Sequence, residues 1–229
     1  MTNILDYSGL FFTAVLYTIA LSVMSIIGGT VIGVVCGFLS ARRAEEPGWF
    51  KVARVVIDIY VRIFRSIPPL VLMFLLYFGV SAAMDLSISM TLAVVIAISL
   101  FIGAYQSENI RAGVESVPRG QIEAAAALSL GTFARMRYVE ARPAFGVALP
   151  SMVGQWIVTI KDTSLASGIG VVEATTVAMT VRQATGETWL VFLVLGVTYF
   201  LINRGAALIG KVLENRVSRS SSRVQMSAA

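Results

Sequence analysis

The side chains of this 229-residue chain that could do chemistry fall in four places. Glu123 opens the run Glu123-Ala124-Ala125-Ala126-Ala127-Leu128-Ser129-Leu130, strong helix formers throughout, with Gly131 placed to end the helix. Lys161-Asp162-Thr163-Ser164 groups a cation, a carboxylate and two hydroxyls at the end of an apolar stretch. Glu108 and Arg111 lie one helical turn apart, as a helix-end ion pair or a binding site would require. Gly205 to Val212 reads Gly-Ala-Ala-Leu-Ile-Gly-Lys-Val and nearly spells a phosphate-binding loop. That likeness fails on chemistry, because Val212 stands where a magnesium-holding hydroxyl is needed and no strand precedes it. The sequence has no histidine and one cysteine, Cys36, which excludes a Ser–His–Asp triad, His-ligated metal, thiolate clusters and an intrachain disulfide. Asp85 and Asp162 stand apart, so no paired-carboxylate site is expected. The chain is therefore expected to have no catalytic residues, no metal and no cofactor of its own.

The elements that position these groups must be membrane helices. The residues are 57% hydrophobic and 14% charged, with a mean hydropathy of +0.81. Globular chains carry about a quarter charged residues, and a chain this apolar would expose large patches in water. The pattern predicts an all-α polytopic membrane protein with about five transmembrane helices. Apolar runs cover about residues 10–39, 68–84, 88–105, 145–160 and 189–204. Between the first two, Arg54, Asp58 and Arg62 recur every fourth residue, which predicts an amphipathic helix over 52–64 lying at the interface. Arg65-Ser66-Ile67-Pro68-Pro69 ends it, and the prolines suit the first turn of the next helix. All Lys and Arg except Lys161 and Arg182 fall in the 40–65 segment, the 106–144 segment and the tail. Five spans put those three segments on one side, which the positive-inside rule makes the cytosol. The N-terminus is then outside and the C-terminus inside. The net charge of +5 reflects this sidedness and not a nucleic-acid partner. No Lys or Arg precedes the first apolar run, so that run reads as a retained membrane segment. Residues 165–179, rich in small side chains and carrying Glu173, read as a half-helix or re-entrant element. One domain is expected over 1–215, followed by a polar, disordered cytosolic tail over 216–229.

Gly29, Gly33 and Gly37 fall at intervals of four in the first span. Small residues let helices approach closely in lipid, so these serve a packing or dimer face, unless they are merely tolerated there. In the long cytosolic segment, Pro118-Arg119-Gly120 interrupts the helix that leaves span three. Thr132 is the expected N-cap of the helix that follows Gly131. The alanine-lined rod between them, about ten residues or 15 Å, is too short to be stable alone. Its small side chains fit a tight groove on a partner; the alternative is a plain surface helix.

Glu123-Ala124-Ala125, with a glycine position following and Leu149-Pro150 beyond, resembles the EAA loop of bacterial ABC importer permeases. Tyr60-Val61-Arg62-Ile63-Phe64-Arg65 with Pro68-Pro69-Leu70 resembles the polar amino-acid permeases in particular. So do Ala104-Tyr105 with Glu108, the run Arg111 to Gln121, and Lys161-Asp162-Thr163-Ser164-Leu165. The matches keep family order from about residue 10 to 215. The family's EAA glycine corresponds to Ser129, with Gly131 two residues on. Its Leu-Pro-Gln-Ala corresponds to Ala141-Arg142-Pro143-Ala144, its Arg-Gly-Thr-Pro to Arg65-Ser66-Ile67-Pro68, and its asparagine to Gln155. The resemblance implies a permease subunit of an inner-membrane importer whose EAA helix seats in a separate ATPase. Arg119, Gly120, Glu123, Ala124, Ala125, Ser129 and Gly131 would form the coupling element, with the helix dipole favouring Glu123 at the helix start. Asp162, Thr163 and Ser164 would line a substrate path, Asp162 facing an ammonium; the bland alternative is that Lys161 and Asp162 neutralise each other. The implied partners are an ATPase dimer holding ATP and magnesium, a second identical or paralogous permease, an extracytoplasmic solute-binding protein and membrane lipid. A polar amino acid and a derivative such as an opine fit equally well. A passive channel or structural subunit, which needs no coupling helix, is the competing reading.

Overall fold

The computed structural model describes residues 4–41 and 48–227, and among them all regular structure is helical. The residues expected to be polar at Arg42, Arg43, Glu45, Glu46 and Pro47 lie outside this set. A 3-10 turn, Ile4–Tyr7, leads into α1, Ser8–Ser40, whose 33 residues are almost all apolar. Helix α2 is Gly48–Ser66. Pro68, extended at ψ 139°, precedes α3, Pro69–Met84, which starts on proline and widens to a π turn over Leu75–Val80. Asp85, at φ 52°, ends it. Helix α4 is Met90–Glu115 and α5 is Arg119–Ala127, parted by Pro118. Helix α6, Thr132–Ile169, is a continuous run with a π turn at Met136–Glu140 and a 3-10 end at Thr163–Ile169. Gly170, at φ 86°, stops it. Helix α7 is Ala174–Thr185 and α8 is Thr188–Ser227.

Among the described residues, four stretches are long and apolar enough to cross a bilayer: Ser8–Ser40, Met90–Glu115, Thr132–Ile169 and Thr188–Val217. The pair α2 and α3, broken between Ser66 and Pro69, makes a fifth when counted together. At 12 residues, about 18 Å, α7 is too short to cross. The polar stretch beyond residue 215 continues α8 in helical backbone as far as Ser227.

The chain forms two compact units, each assembled from three segments. The first takes Met1–Gly28, Ile67–Phe101 and Trp156–Ala206. Its core is Ala14, Ala174, Val177, Ala178, Val181, Val191 and Leu195, with Phe11, Val15 and Tyr199 packed around it. Small residues dominate because short α7 must pack close to its neighbours.

The second unit takes Gly29–Ser66, Ile102–Gln155 and Ala207–Ala229. Here α1 lies directly on α4. A Cβ at Gly37 would come within 2.6 Å of the Ile110 Cβ and 2.7 Å of the Ser107 carbonyl. A Cβ at Gly33 would overlap Gln106. Gly29 is buried as well. Ile57, Val61 and Ala104 bring α2 onto the same helices, beside Leu39 and Phe64. Arg54 donates from Nε to the Ser40 carbonyl over 3.0 Å, so α2 satisfies an orphan acceptor at the end of α1. Elsewhere along α1, Phe12, Leu16, Ile27, Val31 and Val35 stay exposed, a stripe suited to lipid.

Filling the Gly33 contact should therefore be costly. Gly33→Val is expected to lower stability by about 1–3 kcal/mol through overpacking, while Gly9→Ala, where nothing lies within 4 Å, has little effect. Thermal unfolding of the detergent-solubilised chain checks this; equal midpoints for the two variants would contradict the close approach.

Candidate functional site

Helix α5 and its links form the first candidate site, and all of it belongs to the second unit. The rod begins at Arg119, four residues before Glu123, with the Gln121 N–H reaching the Pro118 carbonyl at 3.0 Å. Glu123 is thus one turn into the helix and not in its first turn, where the sequence placed it. Arg119, Gly120, Glu123 and Ala124 are exposed, whereas Ala125 is buried against the unit. The end of the rod also differs from expectation. Ser129 N–H bonds the Ala126 carbonyl at 2.8 Å and Leu130 N–H bonds Ala125 at 3.1 Å. This pair of bonds is a Schellman termination, which requires a left-handed residue between Leu128 and Leu130. Ser129 fills that place at φ 55°. Gly131 does not end the rod. It is extended, at φ −61° and ψ 160°, and is the N-cap of α6, so Thr132 is the first helical residue and not the cap. The glycine that the resembling family carries at the Ser129 position has a plain physical reason here.

Both links of the rod are short and anchored. On one side α4 runs to Glu115, and a Cβ at Gly113 would collide with the Ala144 carbonyl, so α4 and α6 touch backbone to backbone. Gln106 adds an Nε2 bond to the Met152 carbonyl at 3.2 Å. Around the rod, Leu128, Phe133 and Tyr138 are more than 70% exposed. Sequence reasoning missed these three. Their signal was large apolar side chains in an otherwise basic, polar segment, the composition of a protein-binding patch.

Glu108 and Arg111 form an ion pair within α4. Arg65 reaches Glu108 at 3.9 Å and lies 4.8 Å from the Tyr105 ring centre, and Arg111 reaches Asp58 at 3.9 Å. The four charges tie α2 to α4.

The second candidate site belongs to the first unit. Asp162 is half-buried and Ser164 partly so, with the Ser164 hydroxyl donating to the Lys161 carbonyl at 2.7 Å. Thr163 points the other way: it is fully buried and donates to the Ile160 carbonyl at 2.8 Å. Behind this strip lies Glu173, also fully buried. One carboxylate oxygen caps α7 by accepting the Thr176 N–H at 2.9 Å, and the other accepts the Tyr199 hydroxyl at 3.1 Å. Thr18 of α1 accepts the Ala174 N–H at 3.1 Å. Glu173 lies outside the long apolar helices; burial pushes its carboxyl above the usual range, opposed by bonds from Thr175, Thr176 and Tyr199. Gly205 to Val212 lie inside the unbroken helix α8, so they form no phosphate-cradling loop.

Comparison with known proteins decides what carries this geometry. Residues 29–219 match the binding-protein-dependent transport system inner membrane component. The chain belongs to that family. The permease is 34% identical to the glutamine transport system permease of Escherichia coli over 201 residues, which is 87% of this chain and 89% of that one. It is 39% identical to the nopaline transport system permease of Agrobacterium fabrum over 152 residues, 62% and 63% of the two chains. A crystal structure of an amino acid ABC transporter with histidines superposes with TM-score 0.80 at 26% identity, covering 94% of the permease and 99% of its counterpart. The MetNI methionine ABC transporter, at 20% identity and TM-score 0.79 over 95% and 99%, shares the fold. These likenesses favour an importer subunit over an uncoupled channel.

Because Ser129 holds a left-handed conformation, Ser129→Gly should raise the thermal stability of the solubilised permease by about 1 kcal/mol, and Ser129→Val should lower it. A glycine variant less stable than the parent would contradict the Schellman geometry.

Proposed function

We propose that the permease admits a polar amino acid or amino-acid derivative to the cytoplasm, driven by ATP hydrolysis on a separate ATPase that holds α5 in a groove. The observation that carries this reading is the family match running unbroken through a rod that presents Glu123 and Ala124 outward and is anchored at both ends. In this reading the chain performs no hydrolysis; ATP and magnesium reside on the ATPase. The exposed Leu128, Phe133 and Tyr138 supply apolar area at the docking surface, and Glu123 offers a charge for a basic group. A rod on short links transmits force because it cannot swivel: closing of two ATPases moves α5, and α4 and α6 move with it. The working assembly pairs this permease with a second, identical or paralogous one, on two ATPases, with an extracytoplasmic solute-binding protein delivering substrate. The N-terminus then lies outside and the C-terminus in the cytosol, as the Lys and Arg distribution requires.

The substrate class follows the relatives, whose names cover glutamine, glutamate and aspartate, and nopaline. All of these solutes carry charged or strongly polar ends. Asp162 supplies a carboxylate for a cationic end and Ser164 a hydroxyl for orientation, while Thr163 packs behind them. Polar groups among apolar helices are costly and are kept where they line a path or pair.

Two measurements test the reading in proteoliposomes holding the whole transporter. Glu123→Lys is expected to abolish ATP-driven uptake while membrane insertion stays normal; undiminished uptake would remove α5 as the coupling element. Asp162→Asn should raise the solute concentration for half-maximal uptake about tenfold, equivalent to about 1.4 kcal/mol. An unchanged value would take Asp162 out of the path.

A further inference from the structure

Helix α6 does not begin as an ordinary helix. Over Met136–Glu140 it widens to a π turn, closed by the Ala141 N–H on the Met136 carbonyl, five residues back. Directly across that turn, Arg135 Nε donates to Glu140 Oε1 at 3.1 Å, and the two side chains are only 6% and 1% exposed. The spacing and the turn depend on each other. In an α-helix, residues five apart point about 140° away from each other and cannot pair. A π turn takes more residues per revolution, which brings the fifth residue back over the first. The pair therefore exists only while the turn stays wide.

Stability alone does not account for it. A buried ion pair contributes little compared with apolar side chains of the same size, since desolvation offsets the attraction. This one also leaves Arg135 Nη2 buried without a hydrogen-bond partner among the described residues. What the pair supplies is a fixed geometry, and its location gives that geometry a use. The π turn packs on α5 on one side and leads into the long body of α6 on the other. Narrowing it to α-helix would rotate the body of α6 relative to α5 by about 100°, with a shift of about 1.5 Å.

We propose that Arg135 and Glu140 are a register clamp: a positioning pair that holds the wide turn and so sets the angle at which α5 is carried on α6. The clamp is a property of the permease alone, and its consequence for transport rests on α5 being the coupling element. Two readouts separate the two. First, in a Cys36→Ser background, spin labels at Ala124→Cys and Ser151→Cys report the distance between α5 and the body of α6. Arg135→Met with Glu140→Leu, which fills the space without the charges, should shift that distance by several ångströms, and Glu140→Gln, which keeps the acceptor, should leave it in place. An unchanged distance in the apolar pair overturns the clamp. Should that variant not fold, Glu140→Asp, which withdraws the acceptor by one methylene, is read in the same way. Second, proteoliposomes of the whole transporter are given a mixture of tritiated amino acids, and uptake per ATP hydrolysed is measured. The apolar pair should lower the ratio at least fivefold with hydrolysis retained, and Glu140→Gln should stay within twofold. A wild-type ratio in a shifted apolar variant would overturn the link to coupling. No ATP-dependent uptake by the unaltered transporter would instead overturn the functional reading, and the label distances would still decide the clamp.

Discussion

The permease depends on the direct contact of α1 with α4 at Gly33 and Gly37. In lipid no hydrophobic force presses one helix onto another, because the tails are as apolar as the side chains. Helices then stay together through dispersion and polar contacts, both of which need close approach. Removing two side chains from α1 lets its backbone meet Gln106, Ser107 and Ile110 on α4. The same device recurs at Gly113, where α4 meets the Ala144 carbonyl of α6. These contacts make a rigid frame from three helices, and α5 hangs between two of them. The rod itself buries little beyond Ala125, so its position is set by its mounts and not by its own packing.

Charge is placed with the same selectivity. Partly exposed Asp58, Arg65, Glu108 and Arg111 cost little to form and contribute little stability, but they hold the register of α2 on α4. Among the described residues, buried charge is used at two points, in different ways. Arg135 and Glu140 compensate each other across a widened turn. Glu173 is held by hydroxyl and backbone donors, which join the start of α7 to Tyr199 of α8. A carboxylate tied in this way restrains short α7, which buries mostly alanine and valine and could not hold its place by area alone.

Much of this was legible in the chain. The apolar runs, the breaks at Pro68 and Pro118 and the alanine rod all rest on local preferences that the surroundings do not reverse. The family's glycine position was legible too: Ser129 stands there, and it adopts the left-handed backbone that makes glycine the usual choice. Local rules misplaced the details of the rod. Gly131 looked like the stop, because glycine is the commonest stop, yet the hydrogen bonds of Ala125 and Ala126 select Ser129. Thr132 looked like a cap, yet the chain turns one residue earlier. Thr163 adjoins Asp162 and Ser164 in sequence, but neighbours in a helical strip point in different directions, and Thr163 faces inward.

Composition and periodicity determined that this chain is a bundle of apolar helices with a short polar-linked rod, because helix formation and lipid solvation act residue by residue and within a few turns. Only the tertiary structure decided which groups meet: Gly33 with Gln106, Gly113 with Ala144, Glu173 with Tyr199, and Arg135 with Glu140. The first three join residues 26 to 73 positions apart in sequence. The last is local but breaks the α-helical period, and a pairing five residues apart becomes readable only once the π turn is seen. Local energies fix the elements; the steric fit between them, which no local term contains, fixes the contacts.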